Sequence, residues 1–441
     1  MLDIKYIREN SEKVKNAVEA KQLDPSVVDK VLVLDEKRRK FLSEIEELRA
    51  KRNKIAEGGK PSDSKVQKGK EVKEELKYKE SELAKIEEEY FAQLSEVPNV
   101  FADDVPYGKD ESENKIVRTW GEPKKFNFKP KDHLEIGEQL GIINVETASK
   151  VSGPRFGYLL GDAVLMEFAL VQHAFNILTN EEVLKSIADK AEKGLSSKSF
   201  VPVVPPVMIK TDVFDKMARL KPTEERYYIP SDDVYMVGSA EHTLGPLHMD
   251  EILNEKDLPL RYVGFSTAFR REAGSYGKDT KGILRVHQFD KIEMETFTTS
   301  ETSQKEQDFI VGIQEYLMQS LNIPYQVIAI CTGDMGKPDF RQIDINSWLP
   351  GQDKYRETHT SDLMTDYQAR RLNTRIRGSD GNVGYAHMND ATAFAIGRTI
   401  IAILENYQNE DGSVTIPEVL RKWVGKDRIV AKKYGENSRS Q

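Results

Sequence analysis

The chain has 441 residues, 38% of them hydrophobic and 31% charged, with a formal net charge of −8. That length allows two or three packed domains, and the acidic total argues against indiscriminate binding to nucleic acid while leaving room for a local basic surface. No apolar run approaches the ~18 residues of a membrane span, and a single cysteine, Cys331, excludes internal disulfides and multi-cysteine zinc sites.

The opening "MLDIKYIREN" has neither the apolar stretch of a secretory signal nor the acid-poor character of a transit peptide, so a cytoplasmic protein is expected. Between about residues 27 and 97 the sequence is highly charged. Its apolar positions are Val31, Leu34, Phe41, Ile45, Leu48 and Ile55, then Val72, Leu76, Leu83, Ile86, Tyr90 and Val97. Steps of three and four residues, or multiples of them, make the heptad seam of a coiled coil. "EGGKPSD", from Glu57 to Asp63, interrupts the pattern with two glycines and a proline. The expected result is an antiparallel hairpin of helices of about 27 residues, an arm of about 40 Å at ~1.5 Å per residue. Such an arm is too slender to hold a pocket. Lys37, Arg38, Arg39 and Lys40, then Arg49, Lys51, Arg52 and Lys54, give its first helix two basic clusters suited to phosphate contacts. The pattern alone fits a dimerisation or spacer coiled coil as well.

After the linker "VPNVFADDVPYG" at Val97 to Gly108, the grammar changes. The β-rich runs "VPVVPPVMI", "LRYVGFSTAFR", "ILRVHQFDKIEMETFT" and "YQVIAICTGD" are interspersed with helical patterns near 159–178, 303–321 and 393–408. This favours an α+β domain on a mixed, mostly antiparallel sheet over a doubly wound one. Cys331 falls in the last run and is expected in a strand as a small buried hydrophobe. "KKYGENSRSQ" reads as a frayed tail. The expected organisation is an arm-bearing domain at 1–105, a second domain at 106–425 and a tail at 426–441.

The stretch "FRREAGSYGKDTKGILRVHQFDKIEME", from Phe269 to Glu295, concentrates the chemistry. Strand alternation would aim Arg270 and Glu272 one way and Phe269 and Arg271 the other. On the return limb Arg285, His287, Phe289, Lys291, Glu293 and Glu295 would share an ionic face, with Val286, Ile292 and Met294 on the apolar one. The intervening "AGSYGKDTKG" suits a mobile loop closing over a substrate. It is not a P-loop: two residues separate Gly274 from Gly277 where the phosphate cradle needs four, and Asp279 replaces the magnesium-ligating Ser/Thr. The seven histidines form no HExxH pair, there is no Rossmann glycine fingerprint, and no zinc is expected.

These residues resemble motif 2 of the class II aminoacyl-tRNA synthetases, specifically the seryl-tRNA synthetase family. The resemblance extends to "KVSGPRFGYL", "VPPV" at Val204 to Val207, "WLPGQDKYRE", "DYQARR" and "GRTIIAILENYQ". It implies a cytoplasmic, homodimeric ligase, with Pro206 at the dimer interface. Such an enzyme activates L-serine with ATP and Mg²⁺ and esterifies tRNA(Ser), with tRNA(Sec) as a further substrate. The hairpin arm would then grip the long variable arm of the tRNA. It also implies roles for residues. Arg270, Glu272 and Arg398 are catalytic. Arg270, Arg271, Glu272, Phe289, Glu357, Thr358, His359, Thr360 and Arg398 bind ATP, with Glu357 and Thr360 holding Mg²⁺. Ser239, Ala240, Glu241, Arg270, Glu293 and Thr392 bind serine. Three segments depart from the family pattern: "SAE" for "TAE", "ETHTSDLMTDYQARR" for "EISSCSNCxDFQARR", and "HMNDAT", which puts Asp390 at an asparagine position. His359, Asp362 and Met364 belong to the second. Two alternatives remain: a paralogue activating another small amino acid, and a non-catalytic tRNA-binding protein.

Overall fold

The computed structural model describes residues 1–57, 62–273 and 281–431. It forms two compact units, Met1–Val100 and Phe101–Gln441.

In the first unit, α1 (Ile4–Glu9) and α2 (Ser11–Ala20) precede the long helices α3 (Ser26–Ala56) and α4 (Asp63–Glu96). At 31 and 34 residues, the long helices run about 46 and 51 Å at ~1.5 Å per residue. Val31, Leu34, Ile45 and Leu48 of α3 and Leu76, Tyr90 and Leu94 of α4 are buried, so the heptad seam is the packing seam. Ion pairs lace its flanks: Arg38–Glu87 at 2.9 Å, Lys79–Glu44 at 2.6 Å and Arg49–Glu80 at 2.8 Å. Arg38 also lies over the Tyr90 ring at 5.5 Å, and Arg39 pairs with Asp35 within its own helix at 3.0 Å. Three of the eight basic residues assigned to phosphate contacts are thus engaged within the hairpin. Lys37, Lys40, Lys51, Arg52 and Lys54 stand exposed. The glycines, lysine and proline of the interruption, residues 58–61, lie outside the described residues.

The second unit is built on eight strands: β1 (Lys115–Trp120), β2 (Val201–Val203), β3 (Leu260–Phe269), β4 (Gln288–Thr298), β5 (Tyr325–Ala329), β6 (Arg341–Leu349), β7 (Lys354–Thr365) and β8 (His387–Ala395). Their order is β1-β5-β6-β7-β8-β4-β3-β2. All neighbours are antiparallel except β2 beside β3. The helices α5 (Asp162–Leu178), α6 (Ser303–Ser320) and α7 (Ile396–Asn406) cover one face, burying Ile292, Met294, Val327, Ile343, Ile345 and Phe394 in the main core. The other face is left for polar residues. This is an α+β fold on a mostly antiparallel sheet.

Several boundaries differ from the expectation for local reasons. β3 ends at Phe269 and β4 begins only at Gln288, so 270–272 and 285–287 are not strand. The third helix starts at Ile396 because 393–395 complete β8. Cys331 is fully buried but lies two residues beyond β5, its thiol donating to the Asp110 carbonyl at 3.3 Å. The packed chain continues past residue 425: Arg428–Ile429 pairs with Val414–Thr415 and buries Ile429.

Candidate active site

A cleft of about 630 Å³ opens on the polar face of the sheet. Arg270 enters it just past the end of β3, where its backbone N–H donates to the His287 carbonyl at 3.0 Å. Its Nε donates to the Gly238 carbonyl at 3.0 Å, and its guanidinium lies 5.4 Å from the centroid of Phe289. A Cβ at Gly238 would stand 2.8 Å from Arg226 Nη1, so a side chain there would displace the tip of that arginine. Glu272 reaches the cleft through a left-handed backbone, φ 51°, and faces Arg285 Nε at 3.2 Å. That turn, rather than strand alternation, puts Arg270 and Glu272 on the same side. From the first turn of α7, Arg398 donates to the Glu357 carbonyl at 2.9 Å and meets its carboxylate at 3.0 Å. Desolvation by the surrounding cleft wall would raise the half-exposed Glu357 carboxyl, but Arg398, Arg270 and Lys291 together hold it below its usual range.

Glu357 and Thr360 both line the cleft although three positions apart in one strand. A β-bulge explains it. Thr360 pairs with Asp344 and His359 with Ile345, but Asn346 pairs with Glu357, leaving Thr358 as the extra residue. Asp344, Asn346, Glu357 and Thr360 therefore share the cleft face, and His359 is turned to the core side with Ile345. There its ring is buried at 6.0 Å from Phe394, Nδ1 bonds Thr358 Oγ1 at 2.8 Å, and burial pushes its pKa down to about 3. Where pairing of β7 and β8 stops, Gln314 of α6 inserts: its Nε2 donates to the carbonyls of Thr360 (2.9 Å) and Thr392 (2.8 Å). It thereby fixes two cleft residues on separate strands.

A second group of residues surrounds Glu293. Its Oε1 accepts from Thr392 Oγ1 at 3.1 Å and Ser239 Oγ at 3.3 Å and lies against Lys291 Nζ, which also donates to Ser239 at 3.1 Å. Burial pushes Glu293 up to about 8, with Glu241 and Asp390 adding to the rise and Lys291 opposing it. For Glu241 burial is outweighed by Lys291, His242 and Arg219, which hold it below its usual range. Its Oε2 has no hydrogen-bond partner among the described residues. A buried acceptor left unpaired is costly, and a bound ammonium would satisfy it.

Of the residues expected here, Arg270, Glu272, Phe289, Glu357, Thr358, Thr360, Arg398, Glu241, Glu293 and Thr392 line the cleft. Arg271 and His359 do not. Arg271 instead stacks over Tyr227 at 5.4 Å, its N–H on the Glu225 carbonyl, because the chain has left the strand. Ser239 and Ala240 are fully buried, and Ser239 is joined to the cleft by its hydrogen bonds with Glu293 and Lys291. On the return limb alternation holds for Phe289, Lys291 and Glu293; before the strand begins it fails, with Val286 lining the cleft and His287 against Phe156. Residues 274–280 of the glycine loop lie outside the described residues. Sequence reasoning placed Lys291 on the ionic face without a specific role and passed over Asp344, Asn346 and Arg219; all four line the cleft.

Two family models match the chain: the seryl-tRNA synthetase N-terminal domain over residues 1–101, and the class II tRNA synthetase core domain (G, H, P, S and T) over 226–407. The serine–tRNA ligase of Dictyoglomus turgidum is 40% identical over 442 residues, covering 98% of this chain and all of that protein. The chain belongs to the seryl-tRNA synthetase family. Among solved structures, the seryl-tRNA synthetase of Pyrococcus horikoshii complexed with ATP is 40% identical with a TM-score of 0.89, covering 98% of this chain and 100% of that one. The cytoplasmic serine–tRNA ligase of Naegleria fowleri in complex with AMP is 31% identical with a TM-score of 0.85, covering 98% and 99%. Family membership thus rests on the full length of both units.

Proposed function

We propose that this chain activates L-serine with ATP, releasing diphosphate, and transfers the seryl group to the 3′-terminal ribose of tRNA(Ser), with tRNA(Sec) a further acceptor. The observation that carries this reading is one cleft joining two chemistries: the Arg270–Phe289 and Arg398–Glu357 pairs beside the Glu293–Thr392–Ser239 group.

In the first step a serine carboxylate oxygen attacks the α-phosphorus and the bond to the bridging oxygen of diphosphate breaks. No protein nucleophile is required, so catalysis consists of positioning and charge neutralisation. Arg270 faces the α-phosphate, Phe289 and Arg398 take the two faces of adenine, and Glu272 accepts from its amino group. Arg398 also reaches the γ-phosphate. Glu357 and Thr360, with Asp344 Oδ1 and Asn346 Oδ1, are an oxygen-only donor set that fits Mg²⁺ bound with ATP; the last two atoms have no hydrogen-bond partner among the described residues. When bound, the ion offsets phosphate charge. Glu241 and Glu293 receive the serine ammonium, and Thr392 its hydroxyl. A site built to bond a hydroxyl rejects alanine and glycine by leaving that group unpaired.

The basic residues exposed on α3 support a tRNA-backbone role for the hairpin, a shape-based recognition. The exposed apolar side chains of Leu165, Phe168 and Val204 support a twofold homodimer at the "VPPV" segment. Among the described residues no helix is long and apolar enough to cross a membrane, in keeping with a cytoplasmic enzyme.

ATP–diphosphate exchange with serine, threonine, alanine, glycine and cysteine tests the reading. Serine is expected at least about tenfold above the others, ~1.4 kcal/mol of discrimination. Preference for another amino acid would indicate a paralogue; tRNA binding without exchange would indicate a non-catalytic protein. The pH profile gives a second check. With its pKa raised to about 8, Glu293 is protonated below that pH and anionic above it. Serine kcat/KM is therefore expected to rise on the order of twentyfold from pH 6.5 to 8.5, and the residual activity of Glu293→Gln to lack this limb. A flat profile in the parent enzyme would remove Glu293 from ammonium binding.

A further inference from the structure

On the cleft face of the sheet, two residues from the Glu293–Thr392 pair in each strand, Glu295 stands opposite Asp390, and Asp390 opposite Asp362. Three carboxyl groups directly across neighbouring strands repel one another when ionised, and burial, with the neighbouring acids adding, pushes Glu295 and Asp362 well above the usual carboxylate range and Asp390 up to about 7. One guanidinium pairs with two of them and with Asp339: Arg219 Nη2 lies 2.9 Å from Asp362, 3.2 Å from Asp390 and 3.3 Å from Asp339, with Met364 Sδ at 3.9 Å. Arg219 comes from the loop after a short helix, Thr211–Lys216, far from these aspartates in sequence. It gathers Asp362, Met364 and Asp390, three of the residues at which the sequence departs from its family's pattern. The cluster is not saturated: Arg219 Nε, Asp362 Oδ1 and both oxygens of Glu295 are buried without a hydrogen-bond partner among the described residues. Arg219, Asp362 and Asp390 line the cleft beside Thr392 and Glu293.

We propose that Arg219 is a specificity-determining residue for the amino acid, holding Asp362 and Asp390 beside Thr392 and cancelling their charge so that the pocket takes a neutral hydroxymethyl side chain and refuses a cationic one. The inference rests on the serine-activating reading. Without Arg219 the same carboxylates would attract a substrate that brings its own cation. L-2,3-diaminopropionate, serine with an ammonium in place of the hydroxyl, is that probe.

The experiment measures serine KM in ATP–diphosphate exchange and the inhibition constant of L-2,3-diaminopropionate against serine, using the full-length enzyme. In Arg219→Gln the serine KM is expected to rise at least tenfold, the ATP KM to stay within twofold, and the ratio of diaminopropionate to serine affinity to increase at least tenfold. Adding Asp390→Asn to that variant should bring the ratio back towards the parent value. Asp390→Asn alone, which keeps the shape and serves should Arg219→Gln not fold, should lower the ratio at least threefold. Parallel loss of both affinities, or an unchanged ratio in Asp390→Asn, would overturn the inference. If the parent enzyme activates an amino acid other than serine, the functional reading falls. The inference is then judged on that substrate's KM and the same diaminopropionate ratio, and an unchanged ratio would overturn it separately.

Discussion

Arg270→Ala is expected to lower serine-dependent ATP–diphosphate exchange by roughly 10³-fold or more while leaving the thermal unfolding midpoint within a few degrees. The first figure follows from the role of a preorganised cation at a phosphoryl centre, where losing one donor costs on the order of 10²–10³, together with loss of the surface that stacks on Phe289. The second follows from position. Arg270 lies beyond the last residue of β3, and among the described residues its side chain contributes one hydrogen bond, to the Gly238 carbonyl, worth about 1 kcal/mol net. The split between activity and stability is the test. A variant that exchanges at the parent rate would remove Arg270 from the chemistry, whereas one that unfolds early would make it a structural residue.

The arm and the sheet were legible in the sequence to different depths. Most of the seam of α3 and α4 could be read from the sequence, because a heptad pattern depends only on local spacing; the expected seam omits Leu94, which is buried, and runs on to Val97, which lies past the end of α4. In the cleft, identities were legible and directions were not. Period-two reading assumes an unbroken strand, and here the chain leaves the sheet at Arg270, turns through a left-handed Glu272 and inserts an extra residue at Thr358. Each event changes which side chains face the cleft, and Arg271 and His359, expected at the ATP site, do not line it. Arg219 left no local signal at all. Its partners Asp339, Asp362 and Asp390 are 120 to 171 residues away in the chain. Only the unexpected acids at 362 and 390 hinted that a cation had to lie nearby, since buried carboxylates across one strand pair demand neutralisation.

Excising residues 41–86 and joining the ends by a short Gly/Ser turn is expected to leave serine-dependent exchange within twofold and to reduce tRNA aminoacylation kcat/KM by at least about 10³-fold, the scale expected when several phosphate interactions vanish together. The cut is placed so that the base of the hairpin keeps its own restraints. Asp35 still bridges Arg8 and Arg39, and Arg38 still pairs with Glu87 over the Tyr90 ring. What goes is the distal seam, the Lys79–Glu44 and Arg49–Glu80 pairs and the exposed cations Lys51, Arg52 and Lys54. Neutralising only Lys51, Arg52 and Lys54 to glutamine is the finer experiment. Because Arg38 and Arg49 hold the helices together, substituting them would confuse weaker tRNA binding with a disrupted hairpin. These three are exposed and, among the described residues, can be changed without breaking an interhelical pair. Removing one cation that neutralises a phosphate should flatten the dependence of log affinity on log salt by about 0.7 to 0.9, so a drop of about 2 to 3 in the slope is expected if all three touch the backbone. An unchanged slope with unchanged charging would return the hairpin to the reading of a spacer coiled coil, and loss of exchange in the excised protein would mean that the arm supports the catalytic unit itself.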